Sequence, residues 1–173
     1  MKKIYGLIVI VLFCSGCSLL KSTPANTFDF SIHDSITTNN ISVFDQYLAS
    51  GADINFKEEK WGNTPLIHAA YHGRKSMVDR LVKQGADLNM QSYNGWTALH
   101  VAVGQEHFDV VVQLLEAGAN TKIRNRLFGQ ESNKKLVSDT PLDLAINFDL
   151  PEIVGILRKF GAQTNAELKA KGQ

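Results

Sequence analysis

The chain has 173 residues, with 18 Lys and Arg against 17 Asp and Glu and a formal charge of +1. That balance gives no electrostatic case for a nucleic-acid partner. The only cysteines, Cys14 and Cys17, stand close together near the start, so the rest of the chain has none with which to form a disulfide.

Met1 to Cys17 has the pattern of a targeting segment. Lys2 and Lys3 form a charged start, Ile4 to Phe13 is an almost wholly apolar run, and Cys14-Ser15-Gly16-Cys17 follows. The apolar run is about ten residues, half of the roughly 20 that a spanning helix needs, which indicates a secretory signal. Cysteine directly after Ser-Gly resembles the lipobox of bacterial lipoproteins. The resemblance implies cleavage before Cys17, acylation of that cysteine, and durable membrane anchoring. Cys14 departs from the leucine usual there, and bulky Phe13 before it argues against Cys14 as the modified residue. The competing reading is an ordinary secretory signal with an incidental cysteine. With residues 1–16 removed, 16 basic residues face 17 acidic ones. Residues 17–27 are polar and aperiodic, as in a flexible tether. In the lipoprotein family, serine after the lipidated cysteine, here Ser18, implies sorting to an outer membrane, facing the periplasm.

Beyond the tether the chain repeats itself. Trp61-Gly62-Asn63-Thr64-Pro65-Leu66 and Asn94-Gly95-Trp96-Thr97-Ala98-Leu99 open two similar stretches, and each closes on a Gly-Ala pair followed by asparagine. Thr64 and Thr97 are 33 residues apart, as are Leu66 and Leu99, and Gly85 and Gly118. A fixed period of this size is the mark of a stacked repeat. Thr64 is placed to cap a helix and Pro65 to occupy its first position, where a missing N–H is harmless. Gly73 ends this short helix. Met77, Val78, Leu81 and Val82 make the apolar stripe of a second helix, and Gly85 suits a left-handed closure. Neither helix is stable alone, so stability must come from stacking.

The residues Thr64-Pro65-Leu66, Ala69-Ala70, Gly73 and Gly85-Ala86-Asp87-Leu88-Asn89 resemble an ankyrin repeat. The implied fold class is all-α, an ankyrin-repeat solenoid of about four helix-turn-helix repeats joined by hairpin loops. We place the repeat domain at 28–165, with repeats at about 28–60, 61–93, 94–125 and 139–165, an insertion at 126–138 and a polar tail at 166–173 that should fray. The first repeat is degenerate, with His33-Asp34-Ser35 where the second has Ile67-His68-Ala69. The third departs from the pattern at Ala98, where proline is usual, and at Glu106, where glycine is usual. Arg158 puts a charge on the last stripe, which fits a terminal cap with no further neighbour.

No glycine-rich phosphate loop, nucleophile elbow or nucleophile with a placed base is present. Asp79, Asp109 and Glu116 fall on second helices, where a solvated face is their expected place. The chain is therefore expected to be non-catalytic, with no cofactor, no metal and no small-molecule substrate. His68 and His72, four apart, could share a helical face and chelate zinc. They define the alternative of a metal-dependent envelope enzyme or metal-binding protein. His100 stands where ankyrin repeats often carry a structural histidine beside the threonine.

The resemblance also implies where a partner would touch. In this family, hairpin tips and the ends of first helices line a concave face. The matching positions are Trp61, Asn63, Tyr71, His72, Tyr93, Asn94, Trp96, Gln105, Asn147 and Phe148, together with Lys60, Gly104 and Asp139. Both tryptophans fall in this set, and exposed aromatics are typical anchors. Trp96, directly before its threonine, could instead serve local packing. The insertion, with Lys122 and Arg124, gathers positive charge around Leu127 and Phe128. It is either functional or a tolerated surface loop. The expected role is thus capture of another protein by a membrane-tethered binder, one version being an inhibitor or immunity factor for an envelope enzyme.

Overall fold

A computed structural model describes residues 27–126 and 138–172. The described residues form helices α1 (Thr27–Thr37), α2 (Ile41–Ala49), α3 (Pro65–Tyr71), α4 (Lys75–Lys83), α5 (Ala98–Gly104), α6 (Phe108–Glu116), α7 (Pro141–Asn147), α8 (Pro151–Lys159) and α9 (Asn165–Ala170), with no strand among them. None of these helices is long and apolar enough to cross a membrane. Cys17, most of the expected tether and residues 127–137 of the insertion lie outside the described residues.

The helices pair as α1/α2, α3/α4, α5/α6 and α7/α8, and the pairs stack. The odd-numbered helices α1, α3, α5 and α7 pack in one row; α4, α6 and α8 pack in a second. Local chemistry sets the inner row. Thr64, Thr97 and Thr140 are extended, and their hydroxyls accept the amides of Ile67, His100 and Asp143. Each cap satisfies a helix-start donor that would otherwise be buried unpaired. Pro65 and Pro141 take the first helical position, and Ala98 fills it in α5. Ala69, Ala70, Ala98, Ala102 and Ala145 are buried and let these helices approach closely. The outer row buries Met77, Val78 and Leu81, then Val110, Val111, Leu114 and Leu115, then Ile153 and Leu157.

Asparagine joins one repeat to the next. The Asn55 side-chain oxygen accepts from Asp87 N at 2.8 Å, and Asn89 accepts from Asn120 N at 2.9 Å. The hairpins join in the same way. Lys57 Nζ donates to Gln91 O at 2.6 Å, and Gln91 Nε2 donates to Arg124 O at 3.0 Å.

Each link between inner and outer helix passes through a left-handed residue. Asn39, Gly73, Glu106 and Asp149 occupy equivalent places with φ of 56°, 62°, 58° and 54°. Glycine is required only at Gly73, where a Cβ would meet the His107 ring at 2.7 Å. At Glu106 the backbone keeps the shape without the residue that prefers it, at about 1 kcal/mol of strain. Glu106→Gly should therefore raise stability by about 0.5–1 kcal/mol, part of the gain being offset by glycine's freedom in the unfolded chain. The check is a urea midpoint that moves up with an unchanged m value; a downward shift would mean that Glu106 makes a contact worth more than the strain.

Both ends of the stack differ from expectation. The first helix, in the repeat expected to be degenerate, is the longest of the described helices at 11 residues, and it begins at Thr27, inside the expected tether. Ile32 and Ile36, four apart, are fully buried. Buried Ser35 donates to Ile32 O, so its hydroxyl is satisfied. Arg74 donates to Ile36 O and Thr37 O and caps the helix end from the next repeat.

At the other end, the tail expected to fray from residue 166 is helical. Thr164 and Glu167 form a reciprocal capping box for α9, and Leu168 is buried. Arg158 is not a charge facing empty solvent. Its guanidinium donates to both Glu167 oxygens at 2.8 and 2.9 Å, and that hydrogen bond, above all, holds the Glu167 carboxyl down at about 2. Asn165 ties α9 to the preceding repeat through Asp143 and Ser138 O.

Candidate binding groove

The hairpin tips and inner helices of the second and third repeats enclose a groove of about 630 Å3. Of the residues expected to meet a partner, it brings together Lys60, Trp61, Asn63, Tyr71, His72, Asn94, Trp96 and Gln105. Its floor is rigid because the hairpins bond to each other. Tyr93 N donates to Trp61 O at 3.0 Å and Arg126 N to Asn94 O at 2.8 Å from one hairpin to the next, and Ser92 N to Trp96 O at 2.8 Å closes a single hairpin.

Trp61 and Tyr71 stand on opposite supports, one on a hairpin and one at the end of α3, and are 52% and 51% exposed. Apolar rings held this open on a rigid scaffold are ready contact area. Trp96 differs from Trp61. It is partly buried against the core, its ring lies edge-on to His100 at 6.0 Å, and it covers Gly104. Local packing accounts for most of its surface.

Tyr93, Asn147 and Phe148 do not line the groove. The Tyr93 ring lies over Gly62, where a Cβ would meet it at 2.7 Å. Asn147 and Phe148 are exposed at the end of α7, beyond the groove. Asp139 is buried rather than presented to a partner: its carbonyl accepts from Asn125 N and meets the His100 ring.

The histidines separate into two kinds. His100 is fully buried. Its Nδ1 accepts from Thr97 N and lies 2.8 Å from Thr97 Oγ1, while Nε2 lies 3.2 Å from Asp139 O. These partners select the neutral Nε2–H tautomer, since a proton on Nδ1 would face the Thr97 amide. Burial, above all, lowers its pKa to about 4. His100 is thus a structural strut.

His33, His68 and His72 form a run along the concave side, with ring centroids 4.6 and 5.0 Å apart. Burial, then the neighbouring His33 and His72, lowers the His68 pKa to about 4. His72 is lowered by burial, Arg74 and His107. His107 reaches the Tyr71 carbonyl at 3.1 Å and braces the end of α3. Among the described residues no group of three His, Cys, Asp or Glu side chains could hold a metal ion, so His68 and His72 lack a third ligand there.

Glu58, Ser92 and Val101 also line the groove and carry no mark in the sequence. Ser92 Oγ accepts from Trp96 N at 3.2 Å and sets the hairpin. Glu58 precedes Glu59 in an acidic pair, and nothing in the pattern tells the groove-lining one from its exposed neighbour.

Comparison with known proteins agrees with this architecture. A family model described as ankyrin repeats, in three copies, matches residues 32–125. The chicken (Gallus gallus) nuclear factor NF-kappa-B p105 subunit is 32% identical over 135 residues, 72% of this chain and 14% of that protein. The mouse (Mus musculus) B-cell lymphoma 3 protein homolog is 35% identical over 95 residues, 55% of this chain and 21% of the relative. Inversin of Canis lupus familiaris is 26% identical over 162 residues, 94% of this chain and 13% of that protein. The chain thus spans only a small part of these much longer relatives. With the repeat motif matched over more than half of its length and the capped helix pairs stacked as that motif requires, the chain belongs to the ankyrin-repeat family.

Proposed function

We propose that the chain is a non-catalytic binding module that captures another protein in the groove between the Trp61 hairpin and α3. It is held at a membrane through lipidated Cys17, on the periplasmic side of an outer membrane. The observation that carries the binding reading is the pair of half-exposed rings, Trp61 and Tyr71, on a floor locked by inter-repeat hydrogen bonds. Such a surface binds without reorganising, so little ordering entropy opposes association. Tethering rests on the Cys14-Ser15-Gly16-Cys17 pattern. A tethered binder suits an inhibitor or immunity factor that restrains an envelope enzyme, and a captured enzyme whose activity rises on loss of the groove would identify this version.

Trp61→Ala and Tyr71→Ala should leave the melting temperature nearly unchanged, because both rings already face solvent. Each should weaken capture of the partner from detergent-solubilised envelopes by about 1–2 kcal/mol. Asp109→Ala, on the outer face in a 3.8 Å exposed ion pair with Lys75, should change neither. Cys17→Ser, followed by fractionation on the same preparations, should leave the protein unprocessed or free of the membrane. Wild-type fractionation of that variant would remove the lipid anchor from the proposal. Unchanged capture by both aromatic variants, with capture lost on deleting residues 128–135, would move the site to the insertion.

A further inference from the structure

The groove holds one acid whose charge no other side chain answers. Glu58 lines it, and its Oε1 is shut away from solvent with no hydrogen-bond partner. The acids of the outer row and of the C-terminal end are treated differently: Asp45 pairs with Arg80 at 2.7 Å, Asp79 with Lys83 at 2.7 Å, and Glu167 with Arg158 at 2.8 Å. Glu59 is simply solvated. A partly desolvated carboxylate without a donor is a standing penalty, and it is removed when the half-buried Glu58 side chain turns to meet a donor bound in the groove.

The groove wall favours a cation of particular shape. Lys60, which also lines the groove, holds its ammonium 5.3 Å from the centroid of the Trp61 ring, so that ring attracts a positive charge, and a guanidinium stacking there takes the place of the exposed Lys60 ammonium. Tyr71 adds a second exposed ring. His68, neutral at pH 7, opposes no incoming cation, and its buried Nδ1 has no partner either. A planar guanidinium can fork onto a carboxylate while lying on an aromatic face, which a compact ammonium cannot do.

We infer that the groove takes an arginine side chain of the partner polypeptide, with Glu58 as its counter-charge and the Trp61 and Tyr71 rings as its stacking wall. This rests on the groove being the partner-binding face. The test is a randomised dodecapeptide library displayed on phage, panned against the full chain in detergent micelles and against its Glu58→Gln and Trp61→Ala variants. Thermal melts verify that both variants are folded. Arginine should be enriched at one anchored position on the wild type and lose that enrichment on Glu58→Gln. A synthetic copy of an enriched peptide should bind about tenfold or more weakly to Glu58→Gln, and equally so when its arginine is replaced by uncharged citrulline. Peptides enriched without arginine, and lost on Trp61→Ala, would overturn the arginine assignment and leave the groove as the binding face. No enrichment, or the same peptides on Trp61→Ala, would overturn the groove reading and the arginine with it.

Discussion

Leu114→Ala should lower the unfolding free energy by about 2–5 kcal/mol, the range for removing a fully buried leucine side chain from a core that collapses only partly. Leu114 is wholly buried on α6, which packs on α5 within its repeat and on α4 and α8 on either side. One truncation therefore opens a cavity on a helix that packs against both neighbouring repeats. In a stack whose stability is a sum of repeat terms and nearest-neighbour interfaces, the loss falls on coupling as well as on the repeat itself. Urea unfolding of the wild type and Leu114→Ala, with Asp109→Ala as the solvent-facing control on the same helix, measures it. A midpoint shift too small to resolve would place Leu114 away from the core and shift the repeat register.

Acidification should weaken the fold by a similar amount, in a window that identifies the group responsible. His100 has a pKa of about 4 in the fold against the ordinary histidine value of 6.5. Between those values the unfolded chain binds the proton and the folded chain does not. Stability is then full above about pH 6.5, falls as the pH drops towards about 4, and levels off below. The difference corresponds to about 3 kcal/mol from this fully buried ring. His68 pulls in the same direction over the same window, more weakly because solvent reaches part of its ring. Glu167 acts elsewhere. Its lowered pKa of about 2 gives stability above the ordinary glutamate value of 4.5 that is lost only as the pH falls towards 2. His100→Asn should start less stable at pH 7, because Thr97 and Asp139 lose their bridging ring. Its stability should also fall less steeply between pH 6.5 and 4. Unfolding free energy measured against pH for both proteins decides this, and equal slopes would remove His100 as the acid-sensitive strut.

The fold is legible in the sequence because its rules are local and repeated. A threonine before proline or alanine caps a helix wherever it stands, so Thr64, Thr97 and Thr140 mark three inner helices without any tertiary information. The stripe Val110, Val111, Leu114 and Leu115 names its buried face by spacing alone. The sequence likewise determines that aromatic residues crowd the hairpins. What it leaves open is which of them face solvent. Trp61 and Trp96 look alike in their repeats, yet Trp96 directly precedes its threonine and folds onto His100, while Trp61, three residues before Thr64, stays open. The ends of the stack were decided the same way. Ile32, Ile36 and Leu168 sit in polar segments that no period marks, and they become helical because each end of the solenoid exposes apolar surface that a neighbour can cover. Glu58 and Glu59 are indistinguishable as sequence. Only the turn of the hairpin, closed by Glu58 N to Asn63 O at 3.1 Å and Gly62 N to Glu58 O at 3.0 Å, puts one carboxylate in the groove and leaves the other in water.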